Sequence, residues 1–196
     1  MTTVPEQFSV SGRDPSVRST VAWFAASLAG SAVLGLIGGL IWGEVAPRAM
    51  LQEISAGTAE LMNAETRAFI GADAWFAGIA AVAGLITGVV GFRFGVSRRT
   101  GGRRAIVATG LILGGLAGAY VMLWLGQQIG LSAYNHDLAS SANGTVFSSS
   151  LTLGATSALA FWPMLTAIVI LIAEWGTRPD PEPEPEPAAP DAYPPQ

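Results

Sequence analysis

Four uncharged apolar runs, each long enough to cross a bilayer, constrain this chain more than any other feature. The first runs from Val21 to Trp42, with no charge between Arg18 and Glu44. The second covers Ala74 to Phe92, the third Ala105 to Ile129, and the fourth Leu151 to Ala173. A helix rises about 1.5 Å per residue, so roughly 20 residues cross a ~30 Å hydrocarbon core. A soluble helix would carry charge on one face, and these runs carry none on any face. Lipid offers the backbone no hydrogen bonds, so each run is expected to be helical. The short alternating segments of a β-barrel are missing. The expected fold is all-α, a polytopic four-helix transmembrane bundle with spans at about 21–42, 74–92, 105–129 and 151–173. The second span is the weakest, being short and rich in glycine.

Arginine sets the expected orientation, because the chain has no lysine. Arg13 and Arg18 precede span one. Arg93, Arg98, Arg99, Arg103 and Arg104 lie between spans two and three, and Arg178 follows span four. Only Arg48 and Arg67 lie between spans one and two, among acids, and none lies between spans three and four. Eight arginines against two put both termini and the 93–104 loop in the cytoplasm. Trp42, Trp75 and Trp124 then fall near the outer interface, and Trp23 and Trp175 near the inner one. Glu44, Asp73, Arg93 and Glu174 fall at span ends, where water and headgroups solvate them.

This organises the chain as a cytoplasmic arm (1–18), a membrane domain (19–176) and a Pro/Glu-rich tail (177–196). The first run reads as an uncleaved anchor, since it starts after a long arm and leads into Pro47. The tail, with Asp180-Pro181-Glu182-Pro183-Glu184-Pro185-Glu186-Pro187, reads as an extended rod that forms no core. It is either a solvated spacer or a contact for the arginine loop or a basic partner. The absence of cysteine removes disulfides and thiolate chemistry. The lone histidine, His136, neighbours Asp137, and adjacent side chains diverge, so no ready acid–base or metal pair is expected. No catalytic, cofactor-binding or metal-binding set can be named, and no nucleic-acid partner is indicated.

Glycines recur every fourth residue within the spans. Gly35, Gly39 and Gly43 mark span one, Gly84 and Gly88 span two, and Gly110, Gly114 and Gly118 span three. Residues four apart share a helix face, so each set offers a groove for another backbone. The groove serves either internal packing or an interface with a partner or a second copy. Span four differs, carrying Thr152, Thr156, Ser157 and Thr166, with Pro163 near its middle as a candidate hinge. Its hydroxyls either line a polar path or bond their own helix.

The outer loop between spans one and two suggests an amphipathic helix. On a helical wheel Met50, Ile54 and Leu61, extended by Leu51, Met62 and Phe69, share one side, opposite Glu53, Glu60 and Arg67. Its acidic face favours docking on protein over anionic lipid. The second outer loop, from Leu131 to Ser150, is small and polar, with an Asn143-Gly144 turn. On the cytoplasmic face Arg98, Arg99, Arg103 and Arg104 surround Thr100-Gly101-Gly102, a set read as topogenic or as binding lipid headgroups.

Ile41-Trp42-Gly43 with Ala46-Pro47, and Glu65, Phe69, Ala72-Asp73 and Phe76, carry a local similarity. In these residues the chain resembles an uncharacterised actinobacterial family of four-span membrane proteins with a domain of unknown function. The resemblance implies an inner-membrane location and brings no activity. The expected role is an accessory or scaffold subunit of a cell-envelope complex, with the bilayer and a membrane-protein partner or second copy as its contacts. The alternative is a small oligomeric transporter or channel, favoured by the polar fourth span.

Overall fold

The computed structural model describes residues 15–55, 58–62, 67–99, 102–140 and 144–177. Most of the N-terminal arm and nearly all of the Pro/Glu tail lie outside the described residues. Among these residues five α-helices and three strands follow in the order α1 (Pro15–Val45), β1 (Met50–Ser55), β2 (Thr58–Leu61), α2 (Ala68–Gly91), α3 (Gly102–Gln128), α4 (Leu131–Ser140), β3 (Val146–Ser148) and α5 (Phe161–Gly176). Among the described residues four helical segments are long and apolar enough to cross a membrane. They are Arg18–Val45, Ala68–Val96, Gly102–Ser140 and Thr156–Gly176.

The boundaries differ from expectation in instructive ways. Span two is not short, because its helix begins at Ala68 and continues past Gly91 through a π-helical turn, Phe92–Val96. Asp73 is therefore inside the helix, in its second turn. Span four starts late, with Leu151–Ala155 non-helical and a 3₁₀ turn, Thr156–Ala160, leading into α5. Pro163 consequently lies in the first turn of α5 and not in its middle. Proline is tolerated in the first turn of an α-helix, and here it follows directly on the change from 3₁₀ to α backbone.

The helices pack in same-direction pairs. Along α1 and α3 the contacts advance together, from Gly110 against Phe24, through Gly114 against Ser27 and Ser31, to Gly39 against Met122. Along α2 and α5 they advance from Gly84 against Trp162 to Gly88 against Thr166 and Val169. A nearly constant sequence offset is the signature of parallel helices in register. Each helix thus takes its main partner two spans away, and α3 also meets α5 where Gly115 faces Trp162 and Pro163.

The amphipathic outer helix is absent, and this corrects the sequence reading. Residues 50–55 and 58–61 form antiparallel strands, with Leu51 opposite Leu61 and Gln52 opposite Glu60. β3 adds to the other side of β1, pairing Leu51 with Phe147, so the sheet order is β2-β1-β3. Two causes overrode the helical pattern. The stretch is too short to hold an isolated helix. The third strand comes from the distant loop before span four, which no local window registers. That second loop also holds α4, which its polar composition concealed. Gly144 takes φ +90°, the left-handed region that glycine favours, while Asn143 lies outside the described residues.

Candidate functional site

The eight stripe glycines all meet other helices of the same chain. A Cβ at Gly35 would strike the Gly118 carbonyl oxygen, and one at Gly43 would strike the Ile129 side chain. At Gly39 it would lie 2.8 Å from the Met122 oxygen, and at Gly84 2.6 Å from the Trp162 oxygen. Gly88 abuts Val169, Gly110 abuts Phe24, Gly114 abuts Ser31, and Gly118 abuts both Ser31 and Trp162. These stripes are occupied by internal packing along α1–α3 and α2–α5. Polar cross-links accompany them. Thr166 Oγ1 donates to the Gly84 oxygen at 3.1 Å, and Trp162 Nε1 donates to Thr87 Oγ1 at 3.1 Å. The buried hydroxyl of span four is thus spent between helices, while Thr152, Thr156 and Ser157 lie exposed before or at its start.

Two charges organise the end of the bundle that carries the sheet. Arg48 follows α1 and donates from Nη2 to the Gly43 oxygen at 2.6 Å and the Ile129 oxygen at 3.4 Å. α1 and α3 both end there, so one cation serves the negative ends of two parallel helices. α3 closes at Gly130, whose φ of +82° is a left-handed C-terminal stop. Asp73 does the converse. Its Oδ1 and Oδ2 accept from the Gly154 and Ala155 N–H groups, each at 2.9 Å. This carboxylate holds the approach to α5 near the positive ends of α2 and α5, so it is not simply a solvated span-end acid. Position alone, after the Ala46-Pro47 stop, was the available signal for Arg48.

Trp42 is not an interfacial belt residue. It is 0% exposed, donates from Nε1 to the Ala72 oxygen at 2.8 Å, and meets Phe76 edge-on at 5.1 Å between ring centroids. Trp75, Trp124 and Trp175 are each more than half exposed, as belt residues would be. Trp42, Ala46, Ala72 and Phe76, which carried the family resemblance, meet in one core cluster that ties α1 to α2 at this end.

The sheet lies over the same end. One face turns inward, with Glu53 and Phe147 buried, and Phe147 meets Tyr134 of α4. The other presents Met50, Gln52 and Val146 to the exterior, with Ile54 and Met62 exposed beside them. β2 and β3 are its edges. His136 and Asp137 approach to 3.7 Å, closer than diverging neighbours were expected to come, but His136 sits exposed and Asp137 half-exposed on α4. Among the described residues no group of His, Cys, Asp or Glu is arranged to hold a metal.

The opposite end carries the 93–104 segment, and four of its arginines divide into two kinds. Arg104 pairs with Glu174 at 2.8 Å, linking α3 to α5. Arg98, Arg99 and Arg103 instead line a recess of about 260 Å³ with Ser19, Thr20, Trp23 and Phe94. Arg99 donates to the Gly95 oxygen at 2.6 Å and lies over the Trp23 ring at 4.9 Å. Arg98 lies 5.4 Å over the Phe94 ring. The π turn at Phe92–Val96 inserts an extra residue into its turn and so redirects the arginines that follow it. No family model, curated protein or solved structure matches this chain.

Proposed function

We propose that this chain is a non-enzymatic, multi-pass protein of the bacterial cytoplasmic membrane that serves as an accessory or scaffold subunit of a cell-envelope complex. Its termini and the 93–104 loop face the cytoplasm, an orientation supported by eight of ten arginines belonging to that end. The observation that carries the scaffold reading is the outer sheet. It presents Met50, Ile54, Met62 and Val146, all roughly half exposed, beside unpaired strand edges among the described residues. Apolar side chains clustered with open edges suit a protein partner that adds a strand or covers the face. The channel alternative drew on a kink at Pro163 and a polar fourth span. The bond from Thr166 to Gly84 weighs against the polar-path premise.

The test is affinity purification of the full chain from native membranes in mild detergent, with mass spectrometry of co-purifying proteins. A stoichiometric partner that is lost on Met50→Glu or Val146→Glu, while the variants stay folded, supports docking through the sheet. A pure homo-oligomer that conducts ions or solutes in liposomes overturns it.

A further inference from the structure

The arginine recess adjoins an apolar slot. The slot, about 330 Å³, runs between α1 and α2 with α3 as its floor, and its lining includes Trp23, Gly30, Leu34, Ile86, Val90 and Leu111. Trp23 lines both the slot and the recess. The opening follows from the helix pairing. α1 is committed to α3 and α2 to α5, so α1 and span two meet through Trp42, Ala72 and Phe76 at the sheet end and through Trp23 beside Gly95 at the arginine end, with the slot between. A Cβ at Gly30 would meet nothing within 4 Å. From Trp23 to Leu34 the slot extends through eleven helical rises, about 16 Å, close to half of a ~30 Å hydrocarbon core.

The geometry points to a binding site for one anionic glycerophospholipid, with its phosphate among Arg98, Arg99 and Arg103 and one acyl chain in the slot. Charge selects the headgroup. Three guanidinium groups and no carboxylate line the recess among the described residues, and Glu174 is engaged elsewhere, with Arg104. A guanidinium carries five N–H donors, so the bond from Arg99 to Gly95 leaves donors for phosphate. The ring contacts of Arg98 and Arg99 hold their side chains in place before a lipid arrives. Depth selects the tail, because the slot reaches from the charged surface to mid-membrane and no farther. A free phosphate would satisfy the recess and leave the slot unexplained.

The test is native mass spectrometry of the delipidated full-length protein with phosphatidylglycerol, phosphatidylcholine or inorganic phosphate added back. One phosphatidylglycerol is expected to bind at least tenfold more tightly than phosphatidylcholine. Arg98→Gln with Arg103→Gln is expected to abolish that preference. Gly30→Phe, which fills open space, is expected to weaken phosphatidylglycerol binding at least tenfold while leaving the helical circular dichroism unchanged. Equal binding of both lipids overturns the headgroup assignment. Unchanged phosphatidylglycerol binding by a folded Gly30→Phe protein, or equally tight binding of inorganic phosphate, overturns the acyl slot. If Gly30→Phe fails to fold, the arginine pair and the phosphate comparison still decide the outcome.

Discussion

An alanine at Gly35 places a Cβ against the Gly118 carbonyl oxygen, and neither backbone has a flexible end with which to yield. One turn along, the milder case of Gly39 sets the scale. Its Cβ would sit 2.8 Å from the Met122 oxygen, and ordinary contact between heavy atoms begins near 3.5 Å. The α1–α3 pair must therefore open by roughly 0.7 Å there, and by more at Gly35. Gaps of that size forfeit about a quarter to a half of each contact along the seam. Overpacking of this kind costs about 1–3 kcal/mol, and Gly35→Ala is expected in the upper half of that range. A control calibrates the offset from helix propensity, worth up to about 1 kcal/mol. At Gly78 a Cβ meets nothing within 4 Å, so Gly78→Ala is expected to be neutral or stabilising. Gly118→Ala is costly too, since its Cβ would lie 2.7 Å from the Ser31 oxygen. Once one substitution has forced the helices apart, the other has room. The double variant should fall short of the sum by about 1 kcal/mol or more. Equilibrium unfolding in mixed micelles titrated with dodecyl sulfate, followed by tryptophan fluorescence, measures all four. Gly35→Ala as stable as Gly78→Ala, or strict additivity in the pair, would refute the close α1–α3 register.

Asp73→Asn gives up the carboxylate that receives two N–H groups before α5 and is expected to cost about 1–2 kcal/mol in the same titration; no loss would mean that the approach to α5 is held by other contacts. Arg48→Met keeps the apolar stem but removes the cation from the ends of α1 and α3, for about 1–2 kcal/mol, and wild-type stability would count against the double cap. Because the chain has no cysteine, single cysteines report orientation cleanly. In intact cells Ser140→Cys on α4 should react with a membrane-impermeant maleimide, and Ser97→Cys should react only after lysis; the reverse pattern would invert the topology.

Apolar length and arginine placement made the four spans and the grouping of their ends legible in the sequence, because both are local properties that the bilayer reads directly. The glycine stripes were legible as close-approach surfaces for the same reason. Which helix fills each stripe was not. A stripe states that a backbone fits and not whose, and Gly35 finds Gly118 only once α1 and α3 lie parallel. The outer segment misled because Met50, Ile54 and Leu61 satisfy a helical wheel, whereas Val146–Ser148, far along the chain, supplies the strand that settles β1. Trp42 misled because a tryptophan at a span end suits an interface as well as a core. Only Phe76 and the Ala72 carbonyl, brought from the next helix, decide between them. The arginine cluster was visible as charge, but its division into a paired Arg104 and a recess formed by Arg98, Arg99 and Arg103 required the positions of Glu174, Trp23 and the π turn. The sequence by itself thus determined what the solvent demands of each segment. The tertiary structure decided every pairing, since a pairing depends on residues that approach only after the chain has folded.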